Sequence, residues 1–329
     1  MAQQGGVLIL GEVAEGQLAP ATLEVLGIGR KLADQLPGPL GIAILGRGVG
    51  ALANDAIAYG ADVVHVVDHA AVADFTSDAY VGTTERIAKD VKPSILLLAH
   101  TANGREVGPR LAVRLQTGQA SDCIEFSLEN GRLTATRPCF GGAIRQTVTW
   151  PEGAAPQFAT VRPKTFDQAQ RNPGRQGEVI SVSATEAGAT RFLEQKQEPT
   201  EGVKLEDAEI IVSGGRGLGN ADNFKQVEEL AKVLGAAVGA SRAIVDEGWV
   251  PYAYQVGLTG KTVSPNLYIA IGISGASQHM AGCAGSRVIV AINRDESADV
   301  FKYARFGVVG EYQKILPAFQ RKVQELLGG

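Results

Sequence analysis

The chain has 329 residues, of which 41 are glycine, about 12 per cent against the ~7 per cent of average proteins, while only 6 per cent are aromatic. With 45 per cent hydrophobic residues and a length beyond the ~250 to 300 at which one core stops growing, disorder and a collagen repeat are excluded and two domains are expected. A formal charge of −4, from 31 basic and 35 acidic side chains, lacks the basic face that contact with nucleic-acid phosphates requires.

The N-terminus, MAQQGG, carries neither the basic flank nor the apolar run of a signal peptide. No apolar stretch approaches the ~20 residues of a membrane-spanning helix, so a soluble, cytoplasmic protein with no membrane insertion is expected. Cys123, Cys139 and Cys283 are an odd number without a CxxC pair and read as free thiols in a reducing compartment.

Along the first hundred residues, VLIL (7–10), IAIL (42–45), DVVHVV (62–67) and SILLLA (94–99) read as buried parallel strands, because such strands are apolar on both faces. Residues 20–36 and 77–90 between them have helical spacing, and this alternation predicts an α/β sheet covered on both sides. From 121 to 182 the pattern shifts to shorter strand-like pieces, with a hairpin signal at Asn130-Gly131. Residues 185–208 are charged and polar, with Pro199 and Gly202, as in an exposed interdomain linker. A second α/β unit follows: strands at 209–214, 236–241, 266–274 and 286–293, with helices over 223–234 and 312–327. The expected architecture is therefore α/β with two domains, 1–205 and 206–329, each a mostly parallel sheet with flanking helices.

Two glycine loops compete as a phosphate cradle. In the first, Gly46-x-Gly48-x-x-Ala51 ends a strand and Asp68 closes the next, the spacing of a Rossmann turn and its ribose acid. The alternative is that these glycines only let helix meet strand. In the second, SGGRGLGN (213–220), that fingerprint fails at Asn220, yet the glycines open a helix start whose amides favour an anion. Farther on, Ser241-Arg242, the loop VGLTGKTVSP (256–265) and GISGASQHMAG (272–282) all follow predicted strands, the end at which open α/β sheets bind ligands. They supply amides and hydroxyls for a pyrophosphate and two potential cations, Arg242 and His279, for an electron-rich ring. Together they point to a dinucleotide.

The run from VSGGRGLG through ASR and VGLTGKTVSPNLYIAIGISGASQH to INRDESADVFKYARFGVVGE resembles the electron transfer flavoprotein family, on its alpha-subunit side, with TANGREVGPRLAVRL (101–115) adding a less specific match. The resemblance implies a non-covalent FAD held mainly by a Rossmann-like C-terminal domain. It implies an N-terminal domain like a nucleotide hydrolase but without ligand, serving as scaffold and contact for a beta subunit. On that ground the Gly46 loop is expected to serve packing. Among the second domain's glycines, Gly215, Gly217, Gly257, Gly260 and Gly275 are expected to let backbone approach the cofactor.

By the same resemblance, Arg216 lies near the cofactor, Ser241 precedes Arg242, and the Arg242 guanidinium approaches the isoalloxazine. Val256, Gly257, Leu258 and Thr259 form the loop beside the ring, with the Thr259 hydroxyl directed at flavin N5. Ser274, Gly275, Ala276, Ser277, Gln278 and His279 wrap the pyrophosphate and ribityl, His279 reaching the N1 and C2 carbonyl edge. Asn293 and Glu311 lie near the adenosine half. One-electron reduction puts negative charge on the N1 and C2 region, where Arg242 and a His279 dipole or cation stabilise it. Leu258 stands where many relatives have Gln, Glu311 where Asp is commoner, and Ser277 where an apolar residue is usual.

Other residues read more simply. His65, His69 and Asp68 straddle a strand end, a poor spacing for a metal. Cys283 reads as a buried thiol, Lys261 as either a phosphate ligand or a solvated lysine, and Trp150 and Trp249 as packing or interface residues. The resemblance implies an electron carrier rather than an enzyme, the alpha half of a heterodimer that takes electrons from acyl-CoA or other flavin dehydrogenases in fatty acid β-oxidation and passes them to a quinone oxidoreductase. The alternatives are a bifurcating complex that oxidises NADH at a second FAD on the beta subunit, and a stand-alone NAD-dependent dehydrogenase using the Gly46 loop and Asp68.

Overall fold

Buried on both faces, β1 (Val7–Gly11) is the centre of the first sheet, and the faces part by residue parity. Val7 and Ile9 enter one core and Leu8 and Leu10 the other. The computed structural model describes residues 5–140, 144–185, 188, 190–194, 203–206 and 208–327. The chain divides into two compact units, the first ending at residue 195 and the second taking up the chain from there. Residues 186, 187, 189, 195–202 and 207 of the expected linker lie outside the described residues.

In the first unit, the small hairpin β2 (Val13–Ala14) and β3 (Gln17–Leu18) leads into α1 (Pro20–Ala33), β4 (Leu40–Gly46), α2 (Leu52–Ala58), β5 (Val63–Asp68), α3 (Ser77–Val91), β6 (Ile95–Ala99) and α4 (Ala102–Arg114). After β7 (Gln119–Cys123) come β8 (Glu125–Glu129), β9 (Arg132–Cys139) and β10 (Ile144–Thr149), then β11 (Gln157–Val161) and β12 (Glu178–Ser181). Seven strands form one sheet in the order β12-β5-β4-β1-β6-β11-β7, every pair parallel. α1 and α2 cover one face; α3 and α4 cover the other. The β8-β9-β10 sheet is antiparallel, and its first hairpin turns at Asn130 and Gly131, both with positive φ (51° and 78°).

The helix α4 escapes a periodicity search because Gly104, Gly108 and Pro109 interrupt its apolar stripe. Gly104 is required by packing: a Cβ there would come within 1.8 Å of the Ala99 carbonyl oxygen. The Gly46 loop likewise serves its own fold. Gly48 has φ +72°, and its amide donates to Asp68 Oδ1 at 2.8 Å, so the carboxylate that would bind a ribose in a Rossmann turn holds the loop. His65 is buried within β5, whereas His69 accepts from the Ala71 amide at Nδ1 (3.1 Å), and the two rings serve separate structural ends.

At the carboxyl ends of β1 and β6, where this strand order opens a crevice, the chain bridges the gap itself. Thr101 Oγ1 donates to Glu12 Oε1 at 2.5 Å, while the Glu12 backbone exchanges hydrogen bonds of 2.8 and 2.9 Å with the Thr22 hydroxyl.

In the second unit, β13 (Ile210–Gly214) is followed by α5 (Lys225–Leu234), β14 (Ala237–Ala240), the single turn α6 (Arg242–Asp246), β15 (Leu267–Ile271), α7 (Ser277–Cys283), β16 (Val288–Asn293), β17 (Phe306–Val309) and α8 (Tyr312–Leu327). The five strands are parallel in the order β14-β13-β15-β16-β17. One face packs under α7 through Met280 and Cys283; the other packs under α5, α6 and α8 through Leu230, Ile244 and Leu316. The edge strand β17 has no sequence signature, because all four of its residues are exposed and no burial alternation marks it. No helix among the described residues is long and apolar enough to cross a membrane.

Burial holds the Glu12 carboxyl above the ordinary carboxylate range, against the opposing Thr101 hydrogen bond. A carboxyl whose folded pKa is raised contributes stability that is fully present below its unfolded value and lost as pH rises through the folded value. Glu12→Gln is therefore expected to raise the melting temperature at pH 7, with the advantage shrinking as the pH falls below 4.5; melts across pH 4 to 8 check it.

Candidate cofactor site

The second sheet runs first to β14 on one side of β13 and then crosses to β15 on the other, so the chain reverses direction between β13 and β15. Loops leaving the carboxyl ends of adjacent strands diverge there and open a ligand crevice. Two glycine loops meet at that point. The Gly215 amide donates to the Ile271 carbonyl and the Gly217 amide to the Gly272 carbonyl, each at 2.9 Å. A Cβ on Gly215 would lie 2.5 Å from the Gly272 oxygen, and one on Gly217 would lie 2.7 Å from the Gly272 Cα.

The glycines of these loops are also required by the packing of the loops on one another. The space at each of the five is filled by protein backbone: Gly272 against Gly215 and Gly217, the Gln278 carbonyl against Gly257, the Gln255 carbonyl against Gly260, and the Val300 amide against Gly275. Gly275 is further bound to its type by φ +85°. The glycines bring loops together, and the polar side chains that the loops carry are what faces outward.

Ser241 follows β14, its amide donating to the Gly214 carbonyl at 2.9 Å, and this sets Arg242 at the start of α6. Arg242 pairs with Asp246 one turn on (3.0 Å) and Arg216 stands 3.9 Å from Glu247, all four side chains well exposed. Exposed pairs of this kind are worth little and leave both guanidinium groups free for an anionic ligand. The next loop is anchored at both ends: Val256 donates its amide to the Ala240 carbonyl (2.9 Å) and Leu258 donates to the Gln278 carbonyl (2.7 Å). Val256 is buried, while Leu258 and Thr259 stand exposed at the tip. The Lys261 ammonium pairs with Glu206 at 2.9 Å.

Beyond β15, Ser274, Ala276, Ser277 and Gln278 are exposed along the turn into α7, and the Ser274 carbonyl accepts from the Val300 amide at 3.0 Å. Asn293 uses both ends of its carboxamide internally, Nδ2 on the Ile273 carbonyl and Oδ1 on the Asp295 amide, each at 3.0 Å. It shapes the turn next to the site. Glu311 is exposed before α8 and takes its amide contacts from Lys314 and Ile315 at its carbonyl.

His279 faces inward. Its Nε2 is 2.9 Å from the Tyr268 hydroxyl, and its buried Nδ1 has no partner of hydrogen-bonding geometry. Burial pushes its pKa down to about 4, with the Val256 backbone opposing. The ring is neutral at pH 7, so of the two expected cations only Arg242 is charged at the edge of this sheet, and His279 offers a dipole. Cys283 is buried and free, its thiol pushed up to about 12 by burial, which leaves no thiolate to react. Trp249 packs partly buried beside Ile244, and in the first unit Trp150 is buried with its indole N–H donating to the Gly118 carbonyl.

The arrangement fits a dinucleotide carrying an aromatic ring. Two weakly engaged guanidiniums, the exposed hydroxyls of Thr259, Ser274 and Ser277, and the buried His279 Nδ1 all belong to loops and a helix start at the carboxyl edge of one sheet. Sequence reasoning missed Tyr252, Gln255, Tyr268 and the two carboxylates Asp246 and Glu247. Tyr268 lies within the run that carries the resemblance and the others lie a few residues from its motifs, and nothing periodic marks them.

The sequence profile of the electron transfer flavoprotein domain matches residues 7–187, and that of the electron transfer flavoprotein FAD-binding domain matches residues 204–284. The chain is 44% identical over 324 residues to an electron transfer flavoprotein subunit alpha of Thermoanaerobacterium thermosaccharolyticum, covering 97% of this chain and 98% of that one. It is 43% identical to protein FixB of Clostridium saccharobutylicum, over 99% and 98% of the two chains, and 39% identical to the corresponding subunit alpha of Bacillus subtilis, over 97% and 98%.

A histidine whose folded pKa is lowered contributes stability that is present above its unfolded value near 6.5 and lost as pH falls toward the folded value. Wild-type protein should therefore lose about 3 kcal/mol between pH 6.5 and 4 on account of His279. His279→Gln is expected to flatten that slope even if it lowers stability throughout; denaturation curves across the window, compared between the two proteins, test it.

Proposed function

The chain belongs to the electron transfer flavoprotein family, on its alpha-subunit side, and carries that family's FAD-binding domain. From that premise we propose that it is the FAD-holding half of a heterodimer with a beta subunit, accepting electrons from flavin dehydrogenases such as acyl-CoA dehydrogenases and passing them to a quinone oxidoreductase. The observation that carries this reading is the placement of Arg242, Thr259 and Ser274 to Gln278 on successive loops at the carboxyl edge of one parallel sheet.

FAD, when bound, supplies a ring that takes up and releases electrons one at a time. The chain's part is to hold and bias that ring. Ser274, Ser277 and Gln278 offer hydroxyl and amide contacts for the pyrophosphate and ribityl, and Arg216 offers a cation beside the glycine loop. Arg242 would offer a permanent charge to the ring as it becomes negative on reduction, at little desolvation cost because its pair with Asp246 is exposed. Thr259 could serve flavin N5 in either redox state, since a hydroxyl both donates and accepts. No side chain of the site needs to form or break a substrate bond, which is the behaviour of a carrier.

Co-purification with the product of the adjacent gene is expected to yield one FAD and one AMP per heterodimer and no reduction by NADH. Two FAD with direct NADH reduction would replace the carrier reading by a bifurcating complex. Arg242→Ala is expected to keep FAD but to lower the potential for the first electron by about a factor of ten in the equilibrium constant, about 59 mV. A stepwise reductive titration that superimposes on wild type would remove Arg242 from that role.

A further inference from the structure

Thr259 sits in a loop that is shaped from within by Gln255. The Gln255 side chain is 3% exposed, and its Nε2 donates to Thr259 Oγ1 at 3.1 Å. Its backbone is pinned as firmly: the Gln255 amide donates to the Tyr252 carbonyl at 2.9 Å, and its carbonyl accepts from the Lys261 amide at 2.7 Å. Gly260 closes over it, since a Cβ there would lie 2.4 Å from the Gln255 carbonyl oxygen. On the main-chain side of Thr259, the Tyr252 hydroxyl donates to the Thr259 carbonyl at 2.5 Å.

A threonine hydroxyl has one proton and two acceptor lone pairs. Gln255 occupies one lone pair with an N–H donor, and that nitrogen cannot accept the hydroxyl proton. The proton is left for a partner on the open side of the loop, and the second lone pair stays in reserve. We propose that Gln255 is a positioning residue that sets Thr259 as a hydrogen-bond donor toward the N5 edge of the bound flavin. The proposal rests on the reading above that places Thr259 at N5. Oxidised flavin N5 is an acceptor, so a preset donor stabilises the oxidised ring; after reduction, the spare lone pair takes the N5–H. Because the Gln255 amide is shielded from water, the preference is built into the loop before the cofactor arrives.

Were the amide turned over, Oε1 would face Thr259 and draw its proton inward. Gln255→Glu imposes that arrangement with almost no change in shape, and Gln255→Leu removes the contact. The FAD-loaded protein, purified with its partner subunit and reconstituted with 15N5-labelled FAD, reports the hydrogen bond directly through the N5 chemical shift of the oxidised flavin. Thr259→Val is expected to move the N5 signal downfield as the accepted bond is lost. Gln255→Glu should reproduce most of that movement and Gln255→Leu a large part of it. The Gln255→Leu, Thr259→Val double variant should match Thr259→Val alone.

If Thr259→Val moves the signal and neither Gln255 variant does, the positioning role is overturned while Thr259 keeps its place at N5. A Gln255→Leu effect that persists without the Thr259 hydroxyl overturns it too, because Gln255 would then act by another route. A signal unmoved by Thr259→Val overturns both the placement and the inference. Should Gln255→Leu lose FAD, the near-isosteric Gln255→Glu still decides.

Discussion

The second unit depends on a contact between backbones. Gly215 and Gly217 meet Gly272 so closely that any side chain at the first two would collide with main-chain atoms. Backbone cannot yield as a flexible side chain can, so the β13 and β15 loops have one way to seat against each other. Everything downstream inherits that registration: the turn through Ser274 and Gly275 is held by Val300, the start of α7 by that turn, and the 256–261 loop by the Gln278 carbonyl at the start of α7. A crevice whose walls are fixed by hydrogen bonds and steric contact can hold a large, flexible dinucleotide without first having to order itself.

Charge at the edge follows a complementary logic. The permanently charged groups, Arg216 and Arg242, lie in solvent beside the exposed carboxylates of Glu247 and Asp246, in pairs that cost little to exchange for another anion. The titratable group, His279, is turned into the core against Tyr268 and held neutral. If Arg242 faces the flavin as proposed, the positive charge it offers a reduced ring would not vary across the physiological pH range, as it would if it came from an exposed histidine.

Much of this was legible because buried parallel strands are apolar on both faces: VLIL, IAIL, SILLLA and IIVSG all stand where their composition puts them. The α8 bounds, Tyr312–Leu327, follow from the sequence too. What escaped has physical reasons. β17 is exposed on every residue, so no alternation betrays it, and α4 is broken by glycines that its close approach to β6 requires. The site was legible as a set of loops through family resemblance, whereas the packing role of its glycines was not. A glycine that admits a ligand and one that admits a neighbouring loop leave the same letter in the sequence, and only the position of the neighbour tells them apart. Gln255 was passed over for a related reason. A side chain that acts by occupying a lone pair on another residue has no motif of its own.

The two sheets show why spacing alone misleads. Both are parallel, both reverse direction beside their first strand, and both end in glycine loops at the carboxyl edge. In the first, the groups that could serve a ligand are spent on the chain: Asp68 on the Gly48 amide, Thr101 on both Glu12 and the Gly104 amide, and Thr22 on the Glu12 backbone. In the second, interior residues such as Gln255 and Asn293 are spent in the same way, while the guanidiniums at the rim stand exposed in pairs with exposed carboxylates. A buried polar group must find a partner. At the second rim the guanidiniums are held only by exposed carboxylates, and such pairs cost little to exchange for another anion.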